Sequence, residues 1–175
     1  MTSIAPDQSL PQSAVKSPRR YFRAVVVVLL VVAALVGFRP AAVYWKVSCA
    51  DGLLQRWNAE GALGHLVTAQ KLAPENGEVH FLLARCYRRL GDFKLVHKHL
   101  ERAWQIGYPV ERIRREHWLV QAQNGEFGSA EAHLQEMVIE PGEDATQICE
   151  AFVSGYFLTY QFHKALPLLN VWQAD

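Results

Sequence analysis

An interval of 34 residues governs this chain. The dipeptide His-Leu stands at His65-Leu66, His99-Leu100 and His133-Leu134. At the same offset Ala50 answers Ala84, Ala69 answers Ala103, and Gly91-Asp92-Phe93 answers Gly125-Glu126-Phe127. Ala62, Val96 and Ala130 fill one column, and Leu66, Leu100 and Leu134 fill another. Pro74, Pro109 and Pro141 close successive segments within one residue of register. Self-similarity at such a period means that each copy is one small structural unit, which hides its apolar face against its neighbours.

The pattern inside each unit is helical. Leu83, Ala84 and Tyr87 fall at i, i+1 and i+4; after Gly91-Asp92, Val96, Leu100 and Ala103 fall at i, i+4 and i+7. Those spacings draw one apolar stripe on each of two helices. Gly91 reads as the stop of the first helix and Pro109 as punctuation after the second. The stretch "LLARCYRRLGDFKLVHKHLERAWQIGYP", Leu82 to Pro109, resembles a unit of the tetratricopeptide repeat family in its Leu-Ala, Tyr, Gly-Asp-Phe and Ala columns. "NGEFGSAEAHL" keeps the second half of the following unit, while its first half is divergent, with Trp118 where a small residue is usual. "WNAEG" replaces Gly-Asp-Phe in the first unit, and "YQFHKALPLL" fits a fourth if one residue is inserted.

The resemblance implies an all-α fold, an α-solenoid of antiparallel helix pairs over residues 41–175. The units would run about 43–76, 77–110, 111–144 and, incomplete, 145–175. Its apolar end, with Leu168, Leu169, Val171 and Trp172, leads us to expect a longer chain. As function the resemblance implies a scaffold that binds a partner protein or peptide. Two alternatives stay open: an adaptor arm for an enzyme domain beyond Asp175, and a secreted soluble adaptor.

Charge is unevenly placed. Residues 1–40 carry five Lys/Arg against one Asp, whereas residues 41–175 carry 13 Lys/Arg against 16 Asp/Glu. This is a basic tail and not a nucleic-acid-binding surface. Residues 1–20, polar and Pro-containing, are expected to be a disordered basic N-terminal tail. Residues 21–40 hold a charge-free apolar run of 15 residues, Ala24 to Phe38, between Arg23 and Arg39. Basic flanks and the lack of a small-x-small cleavage site read as an uncleaved transmembrane signal anchor. The expected placement is therefore a single-pass membrane protein with a cytoplasmic N-terminus, its repeats on the periplasmic or external side of a bacterial inner membrane.

The periodic histidines invite a metal or pH-sensing role. On a helical wheel they sit about 60° to one side of the core columns. Packed helices lie ~8–10 Å apart, so equivalent residues of successive units cannot all reach within ~2 Å of one zinc. The row reports duplicated packing; a pH response of the row stays open. Cys49, Cys86 and Cys149 form neither a disulfide framework nor a zinc pattern. No Gly-rich phosphate loop, His-Glu-x-x-His or G-x-S-x-G motif occurs, so no catalytic residue, cofactor, metal or enzyme activity is expected.

The resemblance implies that first helices line a concave groove. There the sequence places Arg85, Arg88, Arg89, Arg112, Arg114 and Arg115. Guanidinium forks suit carboxylates, so Arg85, Arg88, Arg89, Arg112 and Arg115 are the candidate partner-binding residues for an acidic peptide. On that reading, Arg85→Glu with Arg115→Glu abolishes partner capture without unfolding. The alternative is a solvated face paired with Glu78, Glu101, Glu111 and Glu116. The family's two-carboxylate clamp is not carried over, because Val47 and Asp51 stand near its Lys and Asn positions.

Overall fold

The computed structural model describes residues 18–139 and 145–174. Among them the fold is all-helical: α1 (Pro18–Gln55), α2 (Ala59–Leu72), α3 (Gly77–Arg89), α4 (Phe93–Ile106), α5 (Val110–Gln123), α6 (Gly128–Ile139), α7 (Ala145–Leu158) and α8 (Phe162–Ala174). The expected disordered tail lies outside the described residues up to residue 17, and from Pro18 the chain is helical. Pro141 also lies outside them.

Two compact units divide the chain, Met1–Ala41 and Ala42–Asp175. In the first, Phe22 and the valines 25–28 are exposed. The membrane expectation is corrected here. Among the described residues no helix is long and apolar enough to cross a membrane, which does not fit a single-pass membrane protein. The physical reason is length. A 15-residue run rises ~22 Å as a helix, short of the ~30 Å hydrocarbon thickness, and charges bound it on both sides.

In the second unit the sequence columns become the core. Ala50, Ala84, Ala62, Val96, Ala130, Leu66, Leu100, Ala69 and Ala103 are all fully buried. Two apolar clusters form, and α5 serves both. Ile113 and Val120 join the cluster built from α1 to α4. Leu119 and Ala122 join the one shared with α6, α7 and α8. Adjacent helical positions thus point to opposite sides, which a divergent, weakly amphipathic α5 achieves with few apolar residues.

Side-chain caps mark where α2, α3 and α4 start. Asn58 Oδ1 accepts the Gly61 amide at 2.8 Å, Asn76 Oδ1 that of Val79 at 3.1 Å and Asp92 Oδ1 that of Leu95 at 3.1 Å. Each satisfies a donor the helix leaves open.

The stops repeat more regularly than the sequence does. After α1, α3, α5 and α7 left-handed backbone occurs at Trp57 (φ 63°), Gly91 (φ 77°), Gly125 (φ 80°) and Tyr160 (φ 59°), at intervals of 34, 34 and 35 residues, and Gly107 (φ 90°) closes α4 in the same way. Each of the first four is followed by the same amide bond five residues back: Asn58 to the Leu53 carbonyl, Asp92 to Tyr87, Glu126 to Gln121 and Gln161 to Tyr156, at 2.8–2.9 Å. These are Schellman turns, in which glycine avoids the strain that a β-carbon brings. The last interval is one residue longer than the other two.

Tyr160 takes that strain while remaining 81% exposed, so its side chain gains little in return. Tyr160→Gly is expected to raise stability by about 0.5–1 kcal/mol, and Gly91→Ala, which meets open space but keeps φ 77°, to lower it by about 1 kcal/mol. Urea unfolding of the two variants checks the pair; a loss in the first or no change in the second contradicts the turn geometry.

Candidate functional site

The arginines of α3 are brought together, but not into open solvent. Arg88 is fully buried. Its Nε donates to Glu116 Oε1 at 2.6 Å, Nη1 to Gln123 Oε1 at 3.0 Å and Nη2 to Gln147 Oε1 at 3.1 Å. Gln123 Nε2 in turn donates to the Arg88 carbonyl at 3.1 Å. Arg85 Nε lies 3.5 Å from Glu116 Oε2, with its guanidinium 4.6 Å above the Phe81 ring. Arg89 Nε donates to Glu150 Oε2 at 3.1 Å, Nη1 donates to the Leu54 carbonyl, and the guanidinium covers Trp57.

Electrostatics set the ionisation of this hub. Burial by itself would raise the Glu116 pKa. The Arg88 and Arg85 guanidiniums outweigh it and hold the carboxyl below the usual carboxylate range. The hub ties α3 to α5 and α7, with two carboxylates held against its three guanidiniums. The other two candidates stand on α5. Arg112 is exposed and donates to the Tyr108 hydroxyl at 3.2 Å, and Arg115 is half-buried. Reversing Arg85 would set a carboxylate beside buried Glu116, so that substitution perturbs the fold as well as the face.

Sequence reasoning missed a second feature, a cleft of about 520 Å³ along α4 and α5. His97 and Trp104 form one wall, and Val110, Ile113, His117 and Trp118 form the other. The imidazoles of His97 and His117 stack across it at 5.6 Å. Trp118 stacks on His133 at 3.9 Å, which accounts for a bulky ring where the repeat pattern has a small residue. Trp104 is 60% exposed at the mouth. Glu101 and Arg114 stand at the rim, the latter paired with Glu111 at 2.9 Å. Burial, and then His97, lower the His117 pKa. The signal was present in the sequence: His97, Glu101 and Trp104 fall at i, i+4 and i+7, a stripe on α4 beside the core stripe.

The periodic histidines each meet a different partner. His65 Nδ1 lies 3.5 Å from Lys46 Nζ, His99 meets His80, and His133 Nδ1 donates to the Ser129 carbonyl at 2.8 Å. The three stand at one sequence interval, but their neighbours differ. Cys86 and Cys149 are buried and Cys49 half-buried, with none in a disulfide. Burial pushes the Cys86 thiol up to about 12, which leaves it protonated and unreactive at neutral pH. Comparison with known proteins returned no match to a family model, a curated protein or a solved structure.

Proposed function

We propose that residues 42–174 are a tetratricopeptide-like array of helix pairs, stacked as a solenoid, and that the chain is a non-catalytic scaffold for a partner protein. One observation carries this: the Schellman turns that close α1, α3, α5 and α7 return at intervals of 34, 34 and 35 residues with the same hydrogen bond. A backbone that repeats is one supersecondary unit used several times, and such arrays serve chiefly as binding surfaces.

The partner is a protein segment that inserts an aromatic or aliphatic side chain into the α4–α5 cleft. An acidic peptide on the α3 arginines would have to displace Glu116 and Glu150, carboxylates already held at close range. Exposed Trp104 supplies the large, stiff apolar contact that concentrates binding energy in interfaces. A random peptide library panned on the full chain, followed by calorimetry, tests this. Enriched peptides are expected to share an apolar anchor, to weaken about tenfold or more with Trp104→Ser, and to keep their affinity with Arg112→Gln. An acidic consensus that is lost with Arg112→Gln and indifferent to Trp104→Ser would overturn the cleft assignment.

A further inference from the structure

On the opposite flank of α4 from that cleft, two imidazoles are shut inside the α3–α4 hairpin. His80 is 4% exposed and His99 is 7% exposed. Their Nδ1 atoms lie 3.0 Å apart, and His80 Nε2 lies 3.0 Å from the Pro74 carbonyl oxygen. A carbonyl only accepts, so His80 Nε2 carries a hydrogen. Neutral His80 therefore presents a lone pair at Nδ1, and His99 Nδ1 must donate to it. One arrangement of protons satisfies the pair, with both rings neutral. Tyr87 seals it from α3, stacked on His99 at 5.4 Å and 11°.

We propose that the His80–His99 pair is an acid-operated latch on the α3–α4 hairpin, closed while both rings are neutral and released when the pair takes up a proton. The Nδ1···Nδ1 contact holds one bridging hydrogen, so a proton taken up by the pair leaves an imidazolium shut inside the hairpin. A proton at His99 Nε2 buries an imidazolium beside Lys98. A cleft of about 410 Å³ runs alongside and gives the charged ring a route to water once the hairpin loosens.

The groups facing the pair leave it unsupported as a cation. From the α2–α3 connection comes Glu75, tied to Arg102 of α4. From α4 come Lys98, Glu101 and Arg102; α2 offers the uncharged Gln70; α3 offers Tyr87; and among the described residues α5 lines no part of the cleft. Lys98 and Arg102 balance Glu75 and Glu101, so no net negative charge attracts the proton. Burial, followed by His80 and Lys98, pushes His99 from 6.5 down to about 4.

The sign follows. A base depressed in the folded state stabilises fully above 6.5 and loses that contribution as pH falls from 6.5 toward 4. Across this window the unfolded chain binds the proton roughly 300-fold more tightly. His117 titrates in the same direction, and Glu116 only below the ordinary carboxylate value, so the test must separate them.

Hydrogen exchange of the full chain at pH 7 and pH 5, corrected for intrinsic rates, supplies that test, together with the titration of the His99 ring by NMR. The latch predicts that amides of α3 and α4 lose about tenfold or more of their protection relative to those of α7, and that His117→Asn retains the effect. His99→Gln, whose amide still donates to His80, should remove most of it. A His99 that titrates near 6.5 in the folded chain, or protection lost equally in α3, α4 and α7, would overturn the latch. Neither readout uses a partner, so this test and the peptide test fail independently.

Discussion

Glu116→Gln is expected to destabilise the protein by about 3–5 kcal/mol, although it changes a single atom. Glutamine keeps an oxygen that can accept from Arg88 Nε, so the lost quantity is charge and not shape. Arg88 is wholly buried and Arg85 lies 3.5 Å from the same carboxylate, so both guanidiniums would sit near a neutral amide in a site with little water. A buried cation without its anion carries a desolvation penalty that the remaining bonds to Gln123 and Gln147 cannot offset. Of a domain's usual 5–15 kcal/mol this is a large share. Urea unfolding reads the loss, with an unchanged slope. The companion variant Arg88→Met with Glu116→Leu should recover most of it, because removing both charges removes the penalty. A near-neutral Glu116→Gln would mean the pair is exposed and the arginine face is open to partners after all.

Gly155→Ala is the second large effect. Helix propensity alone predicts a gain of about 1 kcal/mol for alanine within α7. Packing reverses the sign. A β-carbon there would lie 1.8 Å from the Ala122 carbonyl oxygen and 2.9 Å from its carbon. Both are α5 backbone, which cannot rotate aside, so α5 and α7 would have to separate by more than ~1 Å along an interface built from Leu119, Ala122, Ile148, Ala151 and Phe152. Overpacking of this kind costs ~3 kcal/mol or more. A thermal midpoint equal to or above that of the parent chain would show that the two helices do not approach in this way.

Much of the fold could be read from the sequence because a period is a redundant signal. The alanines at 50, 84, 69 and 103 each had a counterpart 34 residues away, and burial made them all core. The turns were legible where glycine marks them, at Gly91 and Gly125. At Trp57 and Tyr160 the same left-handed backbone is held by a residue whose propensity argues against it, so only the register predicts it.

The arginine face was half legible. Residue type and spacing collected Arg85, Arg88 and Arg89, and Glu116 stood among the carboxylates considered. What decides between an open groove and a closed hub is a contact across 28 residues in the sequence, which no local pattern encodes. The α4–α5 cleft was hidden for a related reason. It is made by two successive helices, and the stripe of His97, Glu101 and Trp104 looks like ordinary solvated surface until α5 is laid beside it. The short apolar run of residues 24–38 pointed to a membrane through composition and flanking charge, while its length argued the other way.

The central claim is that one helix pair is used repeatedly at intervals of 34, 34 and 35 residues. Backbone NMR of the full chain tests it most directly, through the couplings that report φ at each turn. The account predicts positive φ at Trp57, Gly91, Gly125 and Tyr160, with slowly exchanging amides at Asn58, Asp92, Glu126 and Gln161. Negative φ at Trp57 and Tyr160, or helix running unbroken through Gly125, would contradict it.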